Sequence, residues 1–385
     1  MNQVIFNAHD MVIGMTAFLC VFFSLVVVAS KRFKPISAYL LAGFLVSQAF
    51  IALHEVILYG TQFRFVMLNF SPSFFFVGAG AFYIDGALLY FYIRSLIYSD
   101  FLFRKADLWH LVPIAIYFIY MLNAFYLQDN VFKREVALYF RFDLIQQYLS
   151  LDTLAKALRF GYALCGLYLI SKYRDRLKEV YADIAAIDLS WLKLMVTSFL
   201  FIMFVELLLA AIKIIGLFYP VKIDLLIYMG LSSYYAKFLT INLLLFFSAL
   251  NVSALKRIQQ KPVDLTAKVE PVSQEYIDRI EAYMRESKPY LKTSITFESL
   301  SELLDVPPRE LSATLNRHFK VNFYEFINNY RIEDAKCLLK SEAYKGKTIT
   351  EIFTEVGFNS KSVFNTFFRK AEGMTPSEYR KTKSP

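Results

Sequence analysis

Seven long apolar stretches constrain the fold of this chain more than any other feature of its sequence. Each is close to the ~20 mostly apolar residues that a helix needs to cross the hydrocarbon layer of a membrane. We therefore predict seven transmembrane helices, over Met11–Ala29, Ile36–Tyr59, Phe74–Ile97, Leu108–Leu127, Leu154–Ile170, Leu192–Phe218 and Leu225–Leu250. The fifth is the weakest, because Lys156 and Arg159 lie in its first turns.

The composition agrees with a membrane protein. The chain is 57% hydrophobic and 19% charged, with 39 Phe and 26 Tyr, whereas a soluble domain is about half apolar and about a quarter charged. No small-residue cleavage site follows the first stretch, so we expect a retained span rather than a signal peptide. The net charge of +9 suits anionic lipid and nucleic acid equally well.

Lysine and arginine in the short loops predict the orientation, since cytoplasmic loops carry an excess of these residues. The opposite ends of the helices carry only Arg64 and Lys222, apart from a longer, mixed segment at 128–152. The N-terminus is therefore expected outside and the C-terminus in the cytoplasm. The basic residues of the cytoplasmic ends are Lys31, Arg32, Lys34, Arg104, Lys105, Lys172, Arg174, Arg176, Lys178, Lys256, Arg257 and Lys261.

Ionisable residues inside spans are costly and often functional. Asp85, Glu206 and Lys237 fall near the bilayer midplane, and Lys213 shares a face of the sixth helix with Glu206. Lys237 lies on the antiparallel seventh helix, where it can meet Glu206. These groups form either a polar pocket that binds a ligand or senses protons, or an ion pair that fixes helix packing.

Two further polar residues, His54 and Glu55, lie near the outer end of the second span. They form either the mouth of such a pocket or part of the membrane interface. The candidate sensing residues are therefore Asp85, Glu206, Lys213, Lys237, His54 and Glu55.

No catalytic or metal-binding pattern accompanies these charges. The sequence contains no HExxH, GxSxG or nucleotide-binding glycine loop. Cys20, Cys165 and Cys337 are scattered, and the four histidines lack metal-ligand spacing. We expect neither an enzyme nor a cofactor or metal site.

The composition changes after Leu250. Residues 252–272 are polar, contain Pro262 and Pro271, and read as a cytoplasmic linker after a transmembrane domain at 1–251. Residues 273–385 carry amphipathic helical patterns sufficient for one domain. The predicted fold class is all-α, a seven-helix transmembrane bundle followed by a cytoplasmic helical domain.

A helix-turn-helix pattern occupies residues 348–370. Apolar residues recur with helical spacing from Ile349 to Val356, and Gly357 can then take a positive φ and end the helix. Ser360 can cap a second helix that buries Phe364, Phe367 and Phe368. An ordinary helical hairpin would give the same pattern.

A second pattern of this kind precedes it at residues 296–319. Thr296 can cap its first helix, Asp305 suits the turn, and Pro307–Pro308 can start its second helix. A long helix over residues 323–340 separates the two patterns.

Together these segments resemble the AraC/XylS family of bacterial transcription regulators. The resemblance covers Ser273–Lys381 and rests on NFYEFINNYRIEDAKCLLK and ITEIFTEVGFNSKSVFNTFFRKAEGMTPSEYR. The complete chain resembles the membrane-embedded members of that family. The resemblance implies an AraC-type domain in which two recognition helices enter adjacent major grooves of double-stranded DNA.

The resemblance also implies which residues meet DNA. They are Arg309, Ser312, Ala313 and Asn316 in the first recognition helix and Lys361, Ser362, Asn365, Thr366 and Arg369 in the second. Arginine suits guanine, asparagine suits adenine, and Lys361 and Arg369 can also contact phosphates.

Some positions depart from the family pattern. Pro307 replaces the usual capping serine and Lys320 the usual glycine, while Glu302 and Glu310 offset nearby bases. The second unit is therefore expected to be the safer base reader. Modest affinity of one domain favours a homodimer or multiple sites.

The leading hypothesis is a one-component regulator in the bacterial inner membrane. Its transmembrane domain would sense an unknown signal or small-molecule ligand in the lipid bilayer, and its cytoplasmic domain would bind DNA. The alternative is a transporter or channel whose cytoplasmic helices bind a protein partner.

Overall fold

The computed structural model describes residues 7–29, 35–60, 62–98, 101–145, 147–184, 190–250 and 274–382. The predicted all-α class is confirmed: these residues form helices and no β-strand, with a single isolated bridge between Tyr181 and Thr296. The predicted linker at 252–272 lies outside the described residues. The chain divides into two compact units, one of residues 1–170 and 189–259, the other of residues 171–188 and 260–385.

The described part of the first unit contains α-helices of 8 to 33 residues. They are α1 (Ala8–Ala29), α2 (Pro35–Tyr59), α3 (Phe63–Phe70), α4 (Asp85–Ile97), α5 (Val112–Met121), α6 (Asn130–Tyr139), α7 (Tyr148–Val180), α8 (Ser190–Ile215) and α9 (Ile223–Leu250). The last residues of α7, from 171 onward, belong to the second unit.

Six helical segments among the described residues are long and apolar enough to cross a membrane: Ala8–Ala29, Pro35–Tyr59, Pro72–Ile97, Lys105–Tyr126, Tyr148–Val180 and Ser190–Ile215. They contain or overlap the first six predicted stretches. The seventh stretch lies in the 28-residue helix α9, which is not among these six. The side chains of residues 244–250 are outside the described part of the chain.

The third predicted stretch is not one regular helix. Pro72–Phe74 and Val77–Tyr83 are 3₁₀ turns that lead into α4, and Phe76 between them has a φ of +69°. A Cβ atom at Gly78 would lie 2.6 Å from the Phe50 carbonyl oxygen and 2.7 Å from the His54 Cβ. The close approach of this backbone to α2 thus requires glycine.

Aromatic packing holds the first unit together around the second and third apolar stretches. Phe76 makes edge contacts with Phe125 and Tyr148, and Tyr83 stacks on Tyr117. Many other apolar side chains point outward, including Phe18, Leu25, Phe201 and Tyr228. An apolar outer surface of this extent is typical of contact with lipid or another apolar partner.

The second unit contains seven short or medium helices after residue 273. They are α10 (Gln274–Glu286), α11 (Phe297–Leu304), α12 (Pro308–Thr314), α13 (Phe323–Lys340), α14 (Ile349–Glu355), α15 (Lys361–Glu372) and α16 (Pro376–Lys381).

Helix α13 connects two hydrophobic cores. Its first half contributes Phe323, Phe326 and Ile327 to a core that α10, α11 and α12 complete. Its second half contributes Ile332, Ala335 and Leu339 to a core that α14 and α15 complete. Because α13 is shared, the two cores belong to two small helical bundles. The first bundle is formed by α10, α11, α12 and the first half of α13, and the second by the second half of α13 with α14 and α15.

Candidate nucleic-acid interface

The second bundle contains the helix-turn-helix geometry that its sequence predicts. Thr348 and Glu351 form a capping box at the start of α14, in which the Glu351 N–H donates to Thr348 Oγ1 at 3.2 Å and the Thr348 N–H donates to a Glu351 carboxylate oxygen at 2.6 Å. This backbone hydrogen bond is the main reason that the pKa of Glu351 is lowered.

Gly357 ends the first helix of this unit with a φ of +96°, as expected. A Cβ atom at this position would lie 2.8 Å from the carbonyl oxygens of both Tyr290 and Leu291. The glycine therefore provides both the left-handed turn and the close contact between the second bundle and the 290–291 backbone.

Helix α15 presents the polar face that the sequence predicts. Its N-cap, Ser360, accepts a hydrogen bond from the Val363 N–H at 3.4 Å, and Phe364, Phe367 and Phe368 are buried beneath the helix. The remaining face exposes Lys361, Ser362, Thr366 and Arg369, with Asn365 half-buried among them. This face offers hydrogen-bond donors, acceptors and positive charge along a 12-residue helix.

The first bundle repeats the arrangement with different residues. Thr296 caps α11 by accepting the Ser299 N–H at 3.2 Å, and Asp305 turns the chain with a φ of +51°. Pro307 precedes α12 without any side-chain cap, and the helix passes after seven residues into a π-turn at Leu315–Phe319. Lys320 follows with a φ of +56°.

The outer face of α12 is smaller than predicted. Arg309 and Asn316 are exposed and Ser312 is half-buried, but Ala313 is only 7% exposed. The expectation that Ala313 faces outward is thus corrected. The physical reason is that α12 packs against α10 as well as α11, so that a larger part of its short surface is covered.

A buried arginine joins the two bundles. Arg331 of α13 donates hydrogen bonds to the carbonyl oxygens of Tyr290 (2.7 Å) and Lys292 (3.1 Å) in the first bundle. Its guanidinium carbon lies 5.5 Å from the centre of the Phe358 ring in the second. Burial lowers the pKa of Arg331 to about 10, which leaves it charged at neutral pH.

The sequence contains a signal for this arginine outside the helix-turn-helix motifs. Arg331 lies four residues after Ile327 and four before Ala335, so it occupies the buried face of α13. A basic residue on an otherwise apolar helical face indicates a buried polar junction.

Several bases of the domain are already paired with acids. Lys370 of α15 contacts Glu325 at 2.8 Å, and Lys336 of α13 contacts Glu372 at 2.8 Å and Glu333 at 2.9 Å. Because exposed pairs of this kind reduce the net positive charge of a surface, Lys361 and Arg369 are the principal exposed bases of α15.

The first unit brings together three of the predicted intramembrane charges. Asp85 pairs with Arg159 through two hydrogen bonds of 2.9 and 3.0 Å and also accepts from Gln48 at 2.8 Å. Glu206 contacts both Arg159 and Lys237, which confirms that Glu206 and Lys237 meet. Arg159 was not among the predicted residues of this group. Its signal in the sequence was a basic residue within an apolar stretch, which needs an acidic partner such as Asp85.

The other predicted polar residues lie apart from this chain of charges. The Lys213 amine donates to the Tyr59 hydroxyl at 3.3 Å, and the Tyr234 hydroxyl donates to Glu55 at 2.8 Å. His54 is buried against the rings of Phe76 and Phe82. Their role in sensing stays a prediction.

Comparison with known proteins identifies the C-terminal domain. Residues 300–382 match a family described as "Helix-turn-helix domain". The chain is 34% identical over 89 residues to the uncharacterized HTH-type transcriptional regulator YijO of Escherichia coli, which is 23% of this chain and 30% of the relative. It is 29% identical over 101 residues to the XylDLEGF operon transcriptional activator of Pseudomonas putida, 26% of this chain and 30% of the relative.

Among solved structures, the chain is similar to the C-terminal domain of AraT, a response regulator from Geobacillus stearothermophilus. The two are 28% identical, with a TM-score of 0.25, and the match covers 30% of this chain and 91% of that chain.

The family match identifies residues 300–382 as a helix-turn-helix domain. More specifically, it is a domain of the AraC type, as the sequence resemblance implied. The chain matches less than a third of the length of these curated relatives. The relatives are named as transcriptional regulators, in agreement with the expectation that this chain is not an enzyme.

Proposed function

We propose that this protein is a membrane-bound, one-component transcriptional regulator that binds specific sequences in double-stranded DNA. The observation that carries this proposal is the polar, exposed face of α15, held above a phenylalanine core and preceded by the Gly357 turn and the Ser360 cap. A helix of this kind fits the major groove, where its side chains reach the edges of the bases.

Each exposed residue of α15 has a chemical role in this proposal. Asn365 can read adenine, Ser362 and Thr366 can bond to bases or phosphates, and Lys361 and Arg369 supply positive charge. In the first helix-turn-helix unit, Arg309, Ser312 and Asn316 remain candidates. A homodimer would double these contacts and raise the affinity of a single modest domain.

The apolar first unit supports a location in the bacterial inner membrane, with residues 273–385 in the cytoplasm. The basic residues in the last turns of α7 and after α9 favour the same side for both segments. Contacts between residues 181–183 and the domain that follows residue 273 support that arrangement independently. DNA would then be bound near the inner face of the membrane.

The signal would act on the helices of the first unit. The four buried charges Asp85, Arg159, Glu206 and Lys237 balance one another, two acidic and two basic. Balanced pairing favours a role in fixing the packing of α4, α7, α8 and α9. A shift in that packing on binding a ligand is how we propose that the unit senses its signal.

The proposal can be tested with the full-length protein in lipid nanodiscs and labelled DNA from upstream of its gene. We expect sequence-selective binding that weakens with salt, and more than tenfold weaker binding for the Lys361→Ala, Asn365→Ala double variant, which loses a base contact and a positive charge together. Lys345→Ala is a matched control, because Lys345 is exposed, pairs with Glu342 and lies outside α15. Binding that is insensitive to sequence, or unchanged in the double variant, would refute the proposal.

A further inference from the structure

The residues that follow α7 make specific contacts with the helix-turn-helix domain. Tyr181 forms an isolated antiparallel bridge with Thr296, the N-cap of α11. Ala182 is 1% exposed and belongs to the hydrophobic core of the first bundle. A residue that lies between the fifth and sixth apolar stretches therefore helps to complete the core of a domain that begins more than 90 residues later.

Two asparagines of the domain hold the same segment. The Asn328 side-chain amide of α13 donates to the Ala182 carbonyl oxygen at 3.0 Å, and the Asn359 amide donates to an Asp183 carboxylate oxygen at 2.9 Å. Asn328 is itself buried and also holds Arg331 through a hydrogen bond of 3.1 Å. These are side-chain bonds to a particular backbone and a particular carboxylate, rather than general apolar packing.

The three partners belong to three different parts of the domain. Thr296 starts the first helix-turn-helix unit, Asn328 lies on the shared helix α13, and Asn359 directly precedes the cap of α15 in the second unit. The segment thus spans the junction at which Arg331 joins the two bundles. Recognition of DNA by both units depends on this junction, since adjacent major grooves lie about one turn, ~34 Å, apart.

The segment carries a net negative charge, which repels the phosphates of DNA. Residues 179–184 read EVYADI and contain two acids and no base. The Asp183 carboxylate is bound beside the N-terminal end of α15, where the helix dipole would otherwise favour a DNA phosphate. It also lies close enough to the buried Arg331 to counter the lowering of the Arg331 pKa by burial.

We propose that residues 181–184, which we name the docking strip, bind the junction of the two helix-turn-helix units and weaken DNA binding while they are bound. The strip is covalently continuous with α7, so a movement of α7 in response to a signal would pull it from the junction. Release removes a negative charge from the start of α15 and frees the two units to match the spacing of the grooves. This inference rests on the proposed DNA binding.

A disulfide between the strip and the domain tests the proposal. The Tyr181→Cys, Thr296→Cys variant is suitable, because residues opposed in an antiparallel bridge have Cα atoms about 4.5–5.5 Å apart, within the range that a disulfide spans. The exposed Cys165 and Cys337 are replaced by serine, while the buried Cys20 is kept. DNA affinity of the full-length protein in nanodiscs is then measured before and after reduction.

We expect the disulfide to form readily and the oxidised protein to bind DNA about tenfold more weakly than the same protein after reduction. Equal affinities, or a failure of the cysteines to pair, would overturn the docking proposal. The reduced protein tests the proposed function separately, since it carries the same substitutions without the lock. If the reduced protein also fails to bind DNA, both proposals fail.

A substitution without any crosslink provides a second test. Asp183→Asn removes the charge and keeps the shape, and we expect DNA affinity to rise several-fold. Asp175→Asn is the matched control, since Asp175 is an exposed acid in the last turns of α7, outside the docking strip, and pairs with Lys178 at 3.0 Å. An equal rise in both variants would show a general charge effect and would contradict docking by Asp183.

Discussion

The two helix-turn-helix units share a plan but differ in the residues at each critical backbone position. Each begins with a capping box, Thr296 with Ser299 in the first and Thr348 with Glu351 in the second. The turn of the first is made by Asp305, whereas the second uses Gly357. The recognition helix that follows is capped by a serine in the second unit only.

The C-terminal ends of the two recognition helices also differ, since only the second helix ends at a glycine. Helix α12 has seven residues, passes into a π-turn and ends at Lys320 with a φ of +56°. Helix α15 has 12 residues and ends at Gly373 with a φ of +70°. A left-handed conformation costs roughly 1–2 kcal/mol for a residue with a Cβ atom and nothing comparable for glycine.

The two helix-turn-helix units therefore differ in how well their residues suit the backbone conformation. The second helix-turn-helix unit has glycine at its left-handed positions and exposes a full polar helix face. The first helix-turn-helix unit has Asp305 and Lys320 at such positions and buries Ala313 of its recognition helix. We infer that the second unit dominates base reading and that the first is easier to displace.

Substitution of Gly357 is the most severe way to break the second unit. We expect Gly357→Val to destabilise α14 and α15 by about 3 kcal/mol or more, because a strained φ and an overpacked contact each cost about 1–3 kcal/mol. Native-state hydrogen exchange of these helices in the full-length protein measures the loss. Gly346→Val should have little effect, since a Cβ atom there meets nothing within 4 Å. Similar exchange in both variants would contradict the inferred role of the turn.

A pair of asparagine substitutions tests the inequality of the two recognition helices. We expect Asn365→Ala to weaken DNA binding about tenfold, the effect of losing one good base contact. Asn316→Ala should weaken it less than about threefold, because Asn316 lies in the π-turn after α12 and its amide is directed to Ser312 at 3.4 Å. Fluorescence anisotropy on one DNA fragment compares both variants, and equal losses would show that the two units read DNA equally.

Local signals in the sequence predicted the second helix-turn-helix unit well. Ser360 caps its helix and Gly357 takes a positive φ, because caps and turns depend on a few consecutive residues. Thr296 and Asp305 in the first unit were predicted for the same reason and were confirmed. The departure at Lys320 was also visible in the sequence, although the π-turn before it was not.

Contacts between distant residues could not be predicted in the same way. Arg159 pairs with Asp85, 74 residues away, and Asn328 binds Ala182, 146 residues away. Such pairs depend on how helices pack, which the period of a single helix does not specify. Ala313 was misplaced for this reason, since the pattern of α12 alone does not reveal that α10 covers part of it.

Lys320 offers a way to reduce the difference between the two units. We expect Lys320→Gly to stabilise the first bundle by about 1 kcal/mol, because glycine adopts a φ of +56° without the steric strain of a side chain. The Lys345→Gly variant is the control, since Lys345 has a right-handed helical conformation and glycine should destabilise it slightly. Hydrogen exchange of α12 and α13 measures both effects. A loss of protection in Lys320→Gly would mean that the lysine side chain stabilises this end more than strain weakens it.

The capping boxes give the smallest expected difference and the most selective one. Glu351 titrates, whereas Ser299 at the equivalent position of the first unit does not. Because the backbone hydrogen bond from Thr348 lowers the pKa of Glu351, its contribution is fully present above the unfolded pKa of about 4.3 and is lost as pH falls through the folded value. Exchange corrected for its intrinsic pH dependence should therefore show α14, but not α11, fraying at its start below about pH 4. Glu351→Gln should abolish that pH dependence, and equal fraying of both helices would show that Glu351 is not its cause.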